Sequence, residues 1–319
     1  MTLFVLVTDE VAEAGLSVLN QDDRFSVACH HDSTSGAFAK SLSDADALIV
    51  RSATTVDAGL FDGGPNLRVV GRAGVGVDNI DIAAATERGV AVVNAPAGNT
   101  IAAAEMTMAL ILATMRQVAA ADASIRAGRW DRAVFKGSEL RGRRLGLIGA
   151  GRIGAEVAVR CQAFGMDVVI FDPYLAPERA SEIGSRLTDL DEVIETSDII
   201  SCHVPLTDET RGMIDDAAIS RMKPGTFVVN ASRGGVVNEP DLAAALGSGH
   251  LGGAGLDVYA DEPLSPSSPL LSAPNLTLTP HLGASTHEAQ IHVAVEVAEY
   301  VARVLLDGDV SMALNRADL

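Results

Sequence analysis

A glycine-rich segment in the middle of the chain constrains the fold more than any other feature. The apolar run from Leu145 to Ile148 predicts a buried strand and leads directly into the G-x-G-x-x-G sequence of residues 149–154. A helical pattern follows through Phe164, and a second apolar strand, 167–171, ends at Asp172. A dinucleotide-binding site has this arrangement: a strand, a glycine turn, a helix, a second strand and an acidic residue.

The glycines of this motif and the acid after it have distinct predicted roles. Gly149 permits a tight turn, Gly151 lets a pyrophosphate approach the backbone, and Gly154 lets helix and strand pack closely. The helix N-terminus presents free N–H groups to the phosphates. Asp172 lies 21 residues after Gly151, close to the roughly 20 expected of a carboxylate that binds the ribose. A carboxylate repels a 2′-phosphate, so the sequence favours NAD over NADP.

Composition limits the classes of partner. With 319 residues, 48% hydrophobic and 21% charged, the chain is long enough for two folded domains. The net charge of −18 argues against nucleic acid and anionic membranes as partners. Cysteines 29, 161 and 202 lack C-x-x-C spacing and are interpreted as reduced core thiols, and no metal site is predicted. No apolar run is long enough for a signal sequence or a membrane span, which predicts a soluble, cytoplasmic protein.

The first hundred residues alternate between apolar strands and helical segments, which predicts a parallel sheet covered on both faces. A second glycine cluster, Gly71 to Gly76, has Asn79 where a third glycine would be needed, so it is not interpreted as a dinucleotide site. A turn there that carries Arg72 could still bind an anion. The predicted strands are 3–8, 25–29, 47–51, 67–72 and 90–94, with helices such as 11–19 and 81–88 between them.

After about residue 98 the pattern changes. Residues 101–117 lack glycine and proline and have a helical apolar stripe, which predicts a crossover helix into a second domain. The glycine motif then opens a series of six predicted strands, of which the last four are 198–204, 226–230, 253–258 and 276–279.

The last segment, 285–306, predicts an amphipathic helix. Ser285 and Glu288 form a candidate capping box at its start, and Gly308 marks its end. Such a helix could return to the first domain and make that domain discontinuous. The predicted fold is therefore α/β, with two doubly wound parallel-sheet domains: residues 1–98 with 288–319, and residues 99–287.

Three charged side chains follow the later strands of the second domain. Arg233, Glu262 and His281 come after the fourth, fifth and sixth strands, 226–230, 253–258 and 276–279 respectively. Ligands of open α/β sheets bind beyond the carboxyl ends of the strands. We therefore expect the three side chains to converge where the glycine motif would place a nicotinamide. Each also has an ordinary structural explanation: Arg233 could cap a turn, Glu262 could be an ordinary loop charge, and His281 could be a buried imidazole with a structural role.

Several strings resemble the D-isomer-specific 2-hydroxyacid dehydrogenases, in the same order and over nearly the whole chain. They are VRSAT, GRAGVGVDNIDIAAATERGV, NAPAGNTIAAAE, GLIGAGRIG, VNASRGGVVNE, GLDVYADEP and TPHLGAST. The resemblance implies a flavodoxin-like substrate-binding domain, a Rossmann NAD-binding domain and an active site between them. It also implies a homodimer or a dimer of dimers.

The resemblance assigns roles to individual residues. Arg233 would bind the substrate carboxylate, Glu262 would orient the imidazole, and His281 would be the general base. The implied NAD contacts are Gly149, Gly151, Arg152, Ile153, Gly154, Asp172, Val204, Pro205, Ala231, Ser232, Arg233, Asp257, His281, Gly283 and Ala284. The implied substrate contacts are Arg51, Ser52, Arg72, Gly74, Val75, Asn99 and, reaching a neighbouring subunit's site, Arg132.

Within the family, the strings are most similar to the branch that oxidises 3-phosphoglycerate in serine biosynthesis. The arginines at 51, 72 and 132 suit a dianionic tail, although sulfolactate would suit them too, and hydroxypyruvate or glyoxylate would need fewer. An NAD-binding regulator of the corepressor type shares this fold, but no basic or low-complexity tail supports that function. The chain stops soon after its last helix, so we expect no appended regulatory domain and no feedback of the kind such a domain carries.

Overall fold

The computed structural model describes residues 2–32 and 35–319. The chain divides into two compact units, which we call unit 1 (residues 1–99 and 284–319) and unit 2 (residues 100–283). The second boundary lies four residues before the position expected from the sequence. Gly283 is tied to unit 2, because its N–H binds the Asp257 carboxylate at 2.8 Å, whereas Ala284 already leads into the last helix.

Unit 1 is built around a five-stranded parallel sheet in the order β2-β1-β3-β4-β5. This is the flavodoxin-like strand order. Short helices connect the strands, and the last helix of the chain joins the unit. The elements are β1 (Leu3–Val7), α1 (Glu13–Asn20), β2 (Phe25–Cys29), α2 (Gly36–Asp44), β3 (Ala47–Val50), α3 (Ala58–Gly63), β4 (Val69–Arg72), α4 (Ile82–Glu87), β5 (Ala91–Asn94) and α12 (His287–Asp307).

The last helix, α12, packs closely on the sheet of unit 1. Val293, Val297 and Val301 are buried in the same cluster as Val5 and Val7 of β1. A Cβ added at Gly71 would lie 2.6 Å from Val297 Cγ2, which leaves no room for a side chain at that position. Gly71 of the second glycine cluster therefore serves helix packing.

Unit 2 contains a seven-stranded parallel sheet in the order β12-β11-β10-β9-β6-β7-β8. Counted within the unit, this is the Rossmann order 3-2-1-4-5-6 with a seventh strand. The elements are α5 (Thr100–Met115), α6 (Val118–Arg126), β6 (Arg144–Ile148), α7 (Arg152–Ala163), β7 (Asp167–Phe171), α8 (Pro177–Glu182), β8 (Arg186–Leu187), α9 (Leu190–Thr196), β9 (Ile199–Cys202), α10 (Asp216–Arg221), β10 (Phe227–Asn230), α11 (Glu239–Ser248), β11 (Gly253–Leu256), a 3₁₀ turn (Pro269–Ser272) and β12 (Leu276–Leu278).

Both faces of this sheet are covered by helices. On one face, Leu110 of α5 and Val157 of α7 are buried with Leu147 of β6. On the other face, Val193 of α9 and Leu242 of α11 are buried with apolar residues of β6, β9 and β10. The predicted fold class, α/β with two doubly wound parallel sheets, is confirmed.

Three local predictions were wrong. The helix predicted from 101 to 117 ends at Met115, because Gln117 has a left-handed backbone with a φ of 53°. The strand Arg186–Leu187 was missed, since two residues carry no recognisable apolar pattern. The capping box at Ser285 is not formed: Thr286 is the N-cap of α12 and accepts a hydrogen bond from the Ala289 N–H at 3.1 Å.

Residues 2–32 and 35–319 contain no single helix with the length and apolarity to cross a membrane. Helices α5 and α6 meet those criteria only as a pair, with a 64° bend between them. Among the same residues, no group of three or more His, Cys, Asp or Glu side chains could hold a metal ion.

His203 is a mostly buried imidazole at the end of β9. Its Nε2 lies 2.8 Å from Ser201 Oγ. Burial lowers the pKa of His203 to about 4, because the protonated ring would lose its hydration. The folded state therefore holds a neutral ring over a pH range in which the unfolded chain takes up a proton.

We expect this difference to make the protein less stable in acid. Below the ordinary histidine pKa of about 6.5 the unfolded state binds more protons, so the free energy of unfolding falls as the pH decreases towards 4. Between about pH 7 and pH 4, the His203→Gln variant should lose about 3 kcal/mol less stability than the wild type. Urea unfolding followed by circular dichroism measures the difference. His287→Gln, at an exposed position, is the control, and equal pH dependence in wild type and His203→Gln would contradict the prediction.

Candidate active site

The glycine turn between β6 and α7 has the conformation expected of the motif. Gly149 has a φ of +89°, and a Cβ there would lie 2.6 Å from the His203 carbonyl oxygen, so only glycine fits. A Cβ at Gly154 would lie 2.4 Å from the Gly149 oxygen, which explains the close packing of helix and strand. Around Gly151, by contrast, a Cβ would meet no described atom within 4 Å. The turn therefore leaves open space at the one glycine that a pyrophosphate must approach.

Helix α7 begins at this open position. Gly151 is its N-cap and has no side chain to cap the helix, so the first N–H groups, at Arg152 and Ile153, are not used by a capping side chain. Free N–H groups at a helix N-terminus favour anions. Val204 lies beside the same turn, since its Cγ1 would be 2.9 Å from a Cβ on Gly149, and Pro205 follows it directly.

Asp172 links the second strand to the glycine turn. Its Oδ2 accepts a hydrogen bond from the Ala150 N–H at 2.9 Å, and its Oδ1 accepts one from the Tyr174 N–H at 2.9 Å. A carboxylate has about four acceptor sites, so it can still accept hydrogen bonds from ribose hydroxyl groups. The open glycine turn, the uncapped helix and this half-buried acid fit a dinucleotide without a 2′-phosphate.

The predicted arginine lies in a tightly held loop after β10. Arg233 donates a hydrogen bond from Nη1 to the Ser232 carbonyl oxygen at 2.7 Å. The buried side chain of Asn230 binds the same loop at Ser232 and at the Arg233 carbonyl. Ala231, which lies between Asn230 and Ser232 in the chain, is half-buried.

Glu262 and His281 form a hydrogen-bonded pair after β11 and β12. Glu262 Oε2 lies 2.7 Å from His281 Nδ1, and the side chains are 37% and 49% exposed. The other oxygen, Oε1, accepts a hydrogen bond from the Tyr259 N–H at 3.1 Å. Because a carboxylate can only accept, the neutral imidazole carries its proton on Nδ1 and leaves Nε2 as the basic nitrogen. The pair is thus arranged for general acid–base catalysis by an accessible histidine.

The loop that carries His281 is fixed by the buried carboxylate of Asp257. Asp257 accepts hydrogen bonds from the Leu282 N–H at 2.7 Å, the Gly283 N–H at 2.8 Å and the Thr279 hydroxyl at 2.6 Å. His281 itself has a φ of 54°, an uncommon backbone conformation for a residue other than glycine. Such strain persists where the surroundings hold it in place. Asp257 is fully buried, so the observed role of its side chain is to hold this loop.

Tyr259 connects the two loops that carry the pair. Its hydroxyl donates a hydrogen bond to the Thr279 carbonyl oxygen at 2.8 Å, while its N–H binds Glu262. Burial, together with the charge of Asp257, raises the pKa of Tyr259 to about 12. The hydroxyl therefore stays protonated and keeps its donor role at physiological pH.

In unit 1, the predicted substrate residues lie at or after the carboxyl ends of β3, β4 and β5. Asp9 holds the loop after β3 by accepting hydrogen bonds from the Arg51 N–H at 2.6 Å and the Thr54 hydroxyl at 2.6 Å. Asn79 binds the Arg51 carbonyl from the other side at 2.7 Å. Ser52 is an exposed member of this loop.

The turn after β4 is equally well defined. The Arg72 guanidinium lies over Gly74, where a Cβ would be 1.7 Å from Nη1, so a side chain at Gly74 would displace the arginine. The Val75 carbonyl accepts a hydrogen bond from Asn94 Nδ2 at 2.5 Å. The Oδ1 of Asn99 is buried and accepts no hydrogen bond from the described residues.

The remaining predicted residues lie elsewhere. Ala284 is the first residue of the second segment of unit 1 and is not part of unit 2. Arg132 is exposed and borders a cavity of about 350 Å³ with Phe135 and Lys136. The roles of both residues in binding stay predictions.

The sequence analysis did not identify the buried and half-buried polar residues that hold these loops. Asn230, Tyr259 and Thr279 in unit 2, and Asp9 and Asn79 in unit 1, make the contacts described above. One signal was available. A polar residue directly after an apolar strand is buried at the edge of the sheet, and a buried polar group must find hydrogen-bond partners.

Comparison with known proteins agrees with this geometry. The family profile described as "D-isomer specific 2-hydroxyacid dehydrogenase, NAD binding domain" matches residues 108–283. The D-3-phosphoglycerate dehydrogenase of Mycobacterium leprae (strain TN) is 47% identical over 311 residues, which are 98% of this chain and 58% of that protein. The D-3-phosphoglycerate dehydrogenase of Archaeoglobus fulgidus is 49% identical over 270 residues, 85% of this chain and 51% of that protein.

A solved structure gives the same result for the fold. The crystal structure of a glyoxylate reductase from Paecilomyes thermophila superimposes with a TM-score of 0.88 at 28% identity, covering 99% of each chain. The present chain spans between a half and three fifths of the length of the two curated relatives named above. The chain belongs to the D-isomer-specific 2-hydroxyacid dehydrogenase family, and its unit 2 contains the NAD-binding domain of that family.

Proposed function

We propose that this chain catalyses the NAD-dependent interconversion of a small anionic 2-hydroxy acid and its 2-keto acid, with 3-phosphoglycerate as the preferred substrate. The observation that carries the proposal is the hydrogen bond between Glu262 and His281 at the carboxyl edge of the NAD-binding sheet. A basic Nε2, held by a carboxylate at that edge, is what removal of a hydroxyl proton requires.

Three side chains have separate roles in the proposed reaction. When bound, NAD supplies the acceptor for the hydride that leaves C2 of the hydroxy acid. His281 Nε2 takes the hydroxyl proton, and the Glu262 carboxylate stabilises the imidazolium that forms. Arg233 binds the substrate carboxylate through its planar guanidinium and polarises the developing carbonyl group.

The choice of substrate rests on the arginines of unit 1. Arg51 follows β3, and Arg72 is the last residue of the neighbouring strand β4, where it pairs with Val50. In a chain with a net charge of −18, such local positive charge favours a substrate with a phosphorylated tail. Relatives named D-3-phosphoglycerate dehydrogenase support this choice, and we accordingly assign the reaction to serine biosynthesis in the cytoplasm. Sulfolactate, hydroxypyruvate and glyoxylate are the alternative substrates.

We further propose that the chain functions as a homodimer or a dimer of dimers. The segment from α6 to residue 136 exposes large apolar side chains: Ile125 is 53%, Val134 70% and Trp130 83% exposed. Apolar side chains clustered in this way are typical of a surface that is covered by a partner. Arg132 lies in the same segment, which suits its proposed contact with a neighbouring subunit's site.

A panel of 2-hydroxy acids, assayed by NADH absorbance, tests the substrate. We expect kcat/KM for 3-phosphoglycerate to exceed the values for sulfolactate, glycerate and glycolate by at least about tenfold. Arg51→Met and Arg72→Met should lower that preference, because each removes a cation that a phosphorylated tail would contact. The absence of turnover with millimolar 3-phosphoglycerate would contradict the substrate assignment.

The role of His281 is tested by His281→Gln. This variant should lose about 100-fold to 10,000-fold in kcat, the usual contribution of a general base. Its affinity for NADH, measured by fluorescence titration, should stay close to the wild-type value, because the glycine turn and Asp172 are unchanged. Turnover at the wild-type rate would exclude His281 as the base.

The dimer is tested by Val134→Lys, which places a charge in the exposed apolar segment. We expect the molar mass measured by light scattering to fall to that of one chain at micromolar concentration, because a buried, unpaired lysine destabilises an interface. Val159→Lys is the matched control, since Val159 is also half-exposed at 51% but lies on α7. A wild-type protein that is already monomeric would falsify the proposal.

A further inference from the structure

Asn230 is a buried amide at the end of β10, only 1% exposed. Its Oδ1 accepts hydrogen bonds from the Ser232 N–H at 3.0 Å and the Ser232 hydroxyl at 2.8 Å. Its Nδ2 donates to the Arg233 carbonyl oxygen at 2.8 Å. One side chain therefore binds two consecutive residues of the loop that carries the arginine.

These contacts extend to the guanidinium. Arg233 Nη1 donates to the Ser232 carbonyl oxygen, and Asn230 holds Ser232 through its N–H and hydroxyl groups and Arg233 through its carbonyl. Rotation of the Ser232–Arg233 peptide would therefore move the acceptor on which the guanidinium rests. Asn230 limits that rotation from the buried side of the loop.

The same loop lies against the loop that carries Glu262. A Cβ at Gly234 would be 1.7 Å from the Tyr259 carbonyl oxygen, so the two backbones are in direct contact. The Tyr259 N–H binds Glu262, and the Asp257 N–H binds the Asn230 carbonyl oxygen at 2.9 Å. The position of the arginine loop is thus set relative to the loops of Glu262 and His281.

We propose that Asn230 is a positioning residue for Arg233: its carboxamide fixes the 231–233 loop so that the guanidinium is held ready for the substrate carboxylate. The inference rests on the function proposed above, and it gives Asn230 a part in that reaction. An amide is needed because the loop presents both donors and an acceptor. Aspartate offers only acceptors when ionised, and serine is too short to reach both residues.

The test is a double-mutant cycle between Asn230→Asp and Arg233→Ala, with kcat/KM for the 2-hydroxy acid as the readout. With Arg233 present, Asn230→Asp should lower kcat/KM about 100-fold, the effect of a misplacement of about 1 Å. In the Arg233→Ala background the same change should cost less than about threefold, because the group that it positions is gone. Equal losses in both backgrounds would overturn the proposal.

Asn315→Asp is the matched control. Asn315 is 3% exposed and also binds backbone through both ends of its amide, accepting from the Val92 N–H and donating to the Val90 carbonyl, but it lies in unit 1. Its substitution should lower the unfolding temperature and leave kcat/KM within about twofold of the wild type. A loss in kcat/KM equal to that of Asn230→Asp would show a general effect of buried amides and would overturn the proposal.

A measurement that does not depend on turnover distinguishes this proposal from the proposed function. Hydrogen exchange measured by mass spectrometry on residues 228–236 should be at least about tenfold faster in Asn230→Ser than in the wild type. Asn315→Ser should leave this segment unchanged. Inactivity of the wild type on every 2-hydroxy acid would contradict the function but not the positioning, whereas unchanged exchange in Asn230→Ser would contradict the positioning.

Discussion

Parallel hydrogen bonding of neighbouring strands is the constraint on which the candidate site depends. Because β10, β11 and β12 are parallel and adjacent, the residues that follow them must emerge at one edge of the sheet. Arg233, Glu262 and His281 are 29 and 19 residues apart in the chain, yet each lies in the loop that follows its strand. The glycine turn leaves the same edge of the sheet after β6. Sheet topology thus brings the glycine motif and these three side chains to one edge.

Strand ends determine only which edge a residue leaves from, and buried polar side chains determine the geometry beyond it. Asp257 uses both oxygens to hold the His281 loop, and the strained backbone at His281 depends on those bonds. Glu262 binds the Tyr259 N–H with one oxygen and the imidazole with the other. Unpaired, a buried carboxylate such as that of Asp257 would destabilise the fold. The same hydrogen bonds therefore stabilise the fold and fix the geometry of the site.

Sequence patterns predicted the parts of this molecule that depend on local chemistry. The G-x-G-x-x-G turn needs glycine at positions 149 and 154 for steric reasons, and Asp172 follows at the distance that a strand–helix–strand unit imposes. Helix starts were harder to predict, because Ser285 and Thr286 both carry a hydroxyl group that can cap a helix, and in the structure Thr286 does so. The contacts of Asn230 were not predictable from local pattern, since they depend on the conformation of a loop that the strand pattern does not specify.

Unit 1 shows the same relation between buried polar groups and exposed charge. Asp9 and Asn79 bind the main chain of the Arg51 loop from opposite sides, and the Arg72 guanidinium rests on Gly74. Asp9 binds the main-chain N–H of Arg51, while Arg51 Nη1 donates to the Glu10 carbonyl. The Arg51 loop is therefore fixed through its main chain, and the guanidinium rests on a neutral acceptor. In an acidic protein this arrangement favours an anion site, because the carboxylate that fixes the Arg51 loop binds its main chain and not its guanidinium.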